Sequence, residues 1–248
     1  MAPSPRYREC TRVPPVSTAS KSPGRQREDT RGKSFARAPK QDRSRASFER
    51  VLDTAAKLLE EKGYANFTLS ELSERSKVSI GSIYGRVTSK DDLIRLVQVR
   101  ALEQYELEFA GLINRFRRRP TPLRELVPAI VRELGEFLRR HAPALNAFIQ
   151  IGNVDPIVES TGKAAHQQTA LDVKLLLLEH RADIRHPDPE HAVEACFSVV
   201  YSSIARHIGL GARDALGEGD WDRLLADLGQ MALLFLLIDA RQVDKIVR

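Results

Sequence analysis

Phe67-Thr68-Leu69-Ser70-Glu71-Leu72, Val78-Ser79-Ile80-Gly81-Ser82-Ile83 and Ser89-Lys90-Asp91-Asp92 spell out three helix starts in quick succession. Thr68 stands three residues before Glu71, the spacing of a capping box, and Phe67 and Leu72 sit where a hydrophobic staple would pair them. Val78 and Ile83 repeat the staple around Ser79, eleven residues later. Ser89 opens a third helix with Asp91 and Asp92 in its first turn, where acid favours the helix dipole. The spacing predicts two short helices, Leu69–Ser76 and Ile80–Arg86, joined by a tight turn and flanked by longer ones. That is the layout of a helix-turn-helix reader, whose second short helix is presented to a DNA major groove.

Upstream, Phe48, Leu52, Ala55 and Leu59 form one helical stripe, and Gly63 ends that helix after Lys62. Downstream, a long amphipathic helix is predicted from Lys90 to about Arg117, stopped at Pro120. Thr121-Pro122 places a cap before a first-turn proline and opens a helix to about Arg140. Further helices are expected at Pro143–Ile151, at Pro156–His180, from Asp188-Pro189 to about Ile208, and from the Asp220 cap to about Ala240. No strand alternation and no internal repeat is visible. The chain reads as all-α, with about nine helices.

Charge is unevenly placed. Of the 248 residues, 1–45 hold twelve Lys/Arg against four acids, so this end carries +8 of a net charge of +6 and the rest carries −2. Residues 1–41 are rich in Pro, Ser and Arg without an apolar period, and are expected to be a disordered basic arm suited to a polyanion. The two cysteines, Cys10 and Cys196, exclude a disulfide framework and point to a reducing cytoplasm. The longest apolar run, Met231–Ile238, is eight residues and far too short for a membrane span. Six histidines are scattered, and the nearest pair, His186 and His191, lacks a third ligand at metal spacing. With no phosphate loop, nucleophile elbow or dinucleotide turn, no enzyme, metal or cofactor is expected.

The exposed chemistry of Ile80–Lys90 favours DNA over a generic helical hairpin. Ser82, Gly85 and Arg86 fall away from Ile83 and Val87, which pair at i, i+4 as core. Small residues beside an arginine let a helix sink toward base edges, while Tyr84 and Lys90 can bond phosphates. The amide ends at Thr68 and Ser79 are further phosphate seats. Ile80 divides the reading: its spacing shares the stripe of Ile83 and Val87, yet at the groove it would make apolar contacts, such as with a thymine methyl.

Arg45, Val51-Leu52-Asp53-Thr54-Ala55-Ala56, Gly63-Tyr64, Thr68, Val78 to Tyr84 and Ser89 to Leu93, in this order and spacing, closely resemble the TetR family of bacterial transcriptional regulators. The resemblance covers about fifty residues, a fifth of the chain. It implies a helix-turn-helix domain at residues 42–92 and a helical effector-binding and dimerisation domain at 93–248. It also implies phosphate contacts by Arg45 and Thr68, groove-facing positions for Ile80, Gly81, Ser82 and Tyr84, and backbone positions for Gly85, Arg86 and Lys90. The chain departs from the family at Lys77, where the tight turn usually has glycine, at Gly85, and at Arg86 and Val87, where aromatic or histidine side chains are usual. Arg86 is expected to compensate with a phosphate or guanine contact, so Arg86→Ala should weaken operator binding more than Arg75→Ala.

The last helix carries two apolar stripes, Leu224, Leu228, Met231, Phe235 and Ile238, and Leu225, Gly229, Ala232 and Leu236. A helix apolar on two faces is buried on two sides. The resemblance implies that the last two helices pair across a two-fold axis. Leu225, Gly229, Ala232 and Leu236, with Cys196, Val199 and Ser203, are the candidates for that interface. It implies too an effector pocket, with Tyr105, Phe109, Phe137, Phe148 and His166 as candidate lining, although core packing explains each as well. The expectation is a homodimeric regulator of a double-stranded operator, more readily a repressor released by a small molecule. An activator on the same fold, or a non-specific compacting protein using the basic arm, is the alternative.

Overall fold

The structure, a computed structural model, describes residues 40–211 and 219–239. Among the described residues are eight helices and no strand: α1 (Lys40–Lys62), α2 (Leu69–Ser76), α3 (Ile80–Tyr84), α4 (Lys90–Arg117), α5 (Leu123–Gly152), α6 (Pro156–Leu178), α7 (Pro189–His207) and α8 (Trp221–Leu237). The arm expected over residues 1–41 lies outside the described residues, except that α1 has already begun at Lys40.

Helix starts follow the caps. Thr68, Ser79 and Ser89 each accept an amide three residues on, from Glu71, Ser82 and Asp92. Asp155, Asp188 and Asp220 cap α6, α7 and α8 in the same way. The capping box at Thr68 forms only in its hydroxyl half. Glu71 instead bonds Lys62 and Arg75, each at 2.7 Å. These two ion pairs hold its carboxyl below the ordinary carboxylate range, the Lys62 bond being the larger cause.

Two expected helices, ending near Arg140 and starting at Pro143, are one. Helix α5 runs through both Pro128 and Pro143. A proline inside a helix costs roughly 3 kcal/mol. Here Phe137 and Leu138 are buried before Pro143, and Ala147, Phe148 and Ile151 after it. At about 1.5–3 kcal/mol for each large apolar side chain, burial on both sides outweighs the break.

The core has two centres. One gathers Val51, Ala55, Leu58, Phe67, Leu72 and Ile83 of the first three helices with Leu93, Ile94 and Val97 of α4, and also Phe148, Ile151 and Val158. The other gathers Phe109, Leu112 and Ile113 of α4 with the inner faces of α5–α8. Helix α4 therefore belongs to both. The first centre crosses the expected boundary at 92/93, because the first two turns of α4 complete it.

Helices α5 and α8 approach closely. A Cβ on Gly229 would stand 2.9 Å from Pro128 Cα, and one on Gly135 would stand 2.5 Å from Leu225 Cδ2. Leu225, Gly229, Ala232 and Leu236 are buried against this chain's own α5 and α7. That corrects their assignment to a dimer interface: the small residues serve an approach within the chain. Cys196 is also interior, its Sγ 3.7 Å from the Ala232 carbonyl, and burial pushes its thiol up to about 11. The other stripe of α8 is divided: Leu228 is buried in the core, and the exposed apolar side chains lie beyond it. Met231, Leu234 and Phe235 are exposed, alongside Val199 on α7.

Candidate nucleic-acid interface and ligand cavity

The turn between α2 and α3 is built by Lys77, which adopts the left-handed conformation (φ 57°, ψ 34°). This brings the Val78 amide back to the Ser73 carbonyl at 3.3 Å, and so closes α2. The lysine pays the Cβ strain that glycine avoids. Its side chain is exposed beside the start of α3.

Helix α3 is five residues, two shorter at its end than expected, with Gly85 as its cap. Ile83 is fully buried and Val87 nearly so, and they pin it to the first core centre. The outward face holds Ile80, Gly81, Ser82, Tyr84 and Gly85. Ile80 is 37% exposed and Tyr84 46%, so Ile80 belongs to the surface and not to the Ile83 stripe. A Cβ on Gly81 would meet nothing within 4 Å, and one on Gly85 would make only ordinary contacts at 3.5 Å. Neither glycine is needed for packing. Their effect is to leave the helix backbone bare on its outward side.

Ser79 and Ser82 share a hydrogen bond between their hydroxyls at 2.8 Å. One proton serves that bond, which leaves the other hydroxyl able to donate outward. Arg86 lies 5.2 Å from the Phe48 ring centroid and donates to the Ser44 hydroxyl on α1. Ser44, Ser47, Lys77, Ser79, Ser82 and Arg86 thus line one shallow cationic groove between α1 and α3. Of these, Ser79, Ser82 and Arg86 were legible as site residues. Ser44, Ser47 and Lys77 were not, since only the packing of α1 on α3 brings them there. Arg45 is exposed in the first turns of α1, and Thr68 at the start of α2.

Lys90 makes its contacts within the chain. Its ammonium donates to the Phe67 carbonyl at 2.9 Å and sits 4.3 Å over the Tyr64 ring. Tyr64 in turn donates to Asp91 at 2.7 Å, and that bond raises the pKa of its phenol. Lys90 is therefore a clamp between α4 and the loop after α1, which sets the angle at which the short helices are held.

A second feature is a partly open cavity of about 380 Å³ lined by α4, α5, α6, Tyr201 of α7 and Leu210. Tyr105, Phe137, Phe148 and His166 line it as expected. Phe109 does not: it is 1% exposed and packs on Phe137 at 5.2 Å between centroids, as core. Burial raises the Tyr105 phenol to about 12 and lowers the pKa of His166, which meets the Tyr201 ring edge-to-face at 4.3 Å between centroids. Gln98 was missed, because a glutamine within an amphipathic helix reads as surface. It is 1% exposed on the cavity wall, its Nε2 donating to the Val158 carbonyl at 2.9 Å.

Among the described residues, no cluster of His, Cys, Asp or Glu could hold a metal ion, and no helix is long and apolar enough to cross a membrane.

Residues 51–97 match the family described as bacterial regulatory proteins, tetR family. The HTH-type transcriptional regulator HbdR of Aromatoleum sp. (strain CIB) is 34% identical over 64 residues, which is 26% of this chain and 28% of that regulator. The match thus spans less than a third of the relative's length. Solved structures similar in fold include a protein assigned to the TetR family from Mesorhizobium loti MAFF303099, with TM-score 0.64 and 15% identity over 78% of this chain and 96% of that one. Another is a TetR transcription regulator from Haloarcula marismortui ATCC 43049, with TM-score 0.57 and 15% identity over 77% and 97%.

Proposed function

We propose that this chain, whose residues 51–97 match the TetR family of bacterial regulators, is a homodimeric, cytoplasmic repressor that a small molecule releases from its operator. A DNA-binding transcriptional regulator is what the family provides; repression, release and dimerisation are the proposal. The observation that carries it is the course of α4. Its first turns complete the core under α3, its middle (Gln98, Leu102, Tyr105) walls the cavity, and its end joins the second core centre. An occupant of the cavity therefore presses on the helix that carries the reader, and a change in head spacing follows when occupied and empty states differ in α4 position.

Dimerisation is supported by the exposed apolar side chains of α8. Val199, Met231, Leu234 and Phe235 form an apolar patch across α7 and α8, and two reading heads require two half-sites.

The test is binding of the full chain to its own upstream region and to random DNA of equal length across a salt series. The reading expects a saturable preference for the upstream fragment that persists as salt rises. Equal affinity for both, lost together with salt, overturns it in favour of non-specific binding.

A further inference from the structure

We propose that the cavity takes a neutral, mostly apolar small molecule that donates one hydrogen bond to Gln98 Oε1; this rests on the reading of the cavity as an effector site. Gln98 Nε2 is spent on the Val158 carbonyl, which directs the other arm of the amide elsewhere. Oε1 is buried, and among the described residues no donor lies within bonding distance of it. A buried acceptor left without a partner costs roughly 1–3 kcal/mol. Gln98 lines an otherwise largely apolar cavity, and a turn of its side chain toward that space would let an occupant supply the missing donor.

Charge narrows the class. Besides the phenols of Tyr105 and Tyr201, which burial keeps neutral, the ionisable groups on the wall are Glu106, Glu159, Lys163 and His166. Lys163 is already paired with Glu159 at 2.5 Å, and burial favours neutral His166. Glu106 and Glu159 outnumber Lys163 on the wall, and Lys163 is shared with Glu159, so a carboxylate or phosphate would enter against a net negative lining. The volume of about 380 Å³ is at the small end of the ~300–1,000 Å³ usual for ligand pockets, the size for a ring system or a short chain.

Three probes of one shape separate the possibilities: 2-naphthol, 2-methoxynaphthalene and 2-naphthoate, titrated calorimetrically into the full-length protein. The proposal expects 2-naphthol to bind about tenfold tighter than the ether, the size of one buried hydrogen bond, and the carboxylate to bind more weakly still. Gln98→Met should bring naphthol and ether to near-equal affinity. Should that variant fail to fold, the naphthol-to-ether ratio in the unaltered protein still decides. Naphthol and ether binding alike, or naphthoate binding best, overturns the ligand class and leaves the cavity reading intact. If none of the three binds, or if Gly162→Trp, which fills the cavity, leaves naphthol binding unchanged, the cavity reading itself fails.

Discussion

Arg95 Nε on α4 lies 2.8 Å from Asp155 Oδ2, the carboxylate that caps α6. One turn further along α4, Gln98 holds the Val158 carbonyl at 2.9 Å. These two bonds fasten α4 to the first turn of α6, which also walls the cavity. Two residues on, Arg100 bonds Asp53 of α1 at 2.8 Å and pairs with Glu49. Within two turns, α4 is tied to the helix that walls the cavity and to the helix that packs under α2 and α3.

Asp155→Asn tests the first tie. Asparagine keeps an oxygen for the α6 cap but has no charge for Arg95. The Arg95 bond, helped by the Ile157 and Val158 amides, holds the Asp155 carboxyl below its usual value. A depressed pKa contributes stability that is present above the unfolded value, near ~3.9, and is lost as pH falls through the folded value. Melting should therefore place Asp155→Asn below wild type at neutral pH, with the gap closing in acid. A gap that stays constant down to about pH 3 would show that the charge is not the cause.

Lys77→Gly should move stability and affinity in opposite directions. Removing the Cβ at φ 57° relieves strain of roughly 1–2 kcal/mol, partly offset by the greater freedom of glycine in the unfolded chain. The melting temperature rises. The groove beside α3 loses a cation, so DNA affinity falls and the slope of log K against log salt drops by about one unit. A rise in stability with an unchanged salt slope would mean that Lys77 serves only the turn.

The helix starts were legible because they are local: a hydroxyl or carboxylate three residues before a suitable partner is set by nearest neighbours. The all-α class, and the outward placement of Ser82 and Tyr84, followed from the same signals. What escaped needed tertiary contact. Pro143 reads as a helix start, and only burial of α5 on both sides of it shows otherwise. Gly229 and Ala232 read as a dimer stripe, since periodicity places residues on a face without saying which neighbour covers it, and the neighbour is this chain's own α5. Gln98 and Lys77 are polar residues whose roles depend on distant partners.

Gly229→Ala and a charged change among the exposed apolar side chains of α8 separate folding from association. A methyl at Gly229 meets the Pro128 backbone at 2.9 Å, so α5 and α8 must part, at a cost of about 1–3 kcal/mol. Gly111→Ala has open space within its helix and should instead stabilise by ~0.5–1 kcal/mol. Met231→Lys with Leu234→Lys alters side chains each 60% exposed, so helicity should survive while sedimentation shifts from dimer to monomer. An unshifted dimer would move the interface elsewhere.

Arg86 carries the sharpest prediction about DNA. Its guanidinium is held against Phe48 and Ser44, at the mouth of the groove that Ser79 and Ser82 share. A phosphate there would meet a cation already fixed in place, so little ordering entropy opposes the contact. Arg86→Ala should lower affinity for every sequence and reduce the salt slope by about one. Arg75 is an unsuitable control, because it bonds Glu61 at 2.6 Å and Glu71 at 2.7 Å and so fastens α2 to α1. Arg75→Ala should reduce stability, and with it binding, without changing the slope. Arg86→Lys distinguishes the two possible contacts of Arg86: a phosphate accepts lysine with modest loss, whereas a bidentate guanine contact does not. A loss that vanishes on operators with one particular base pair replaced would assign Arg86 to reading that pair; uniform loss assigns it to the backbone.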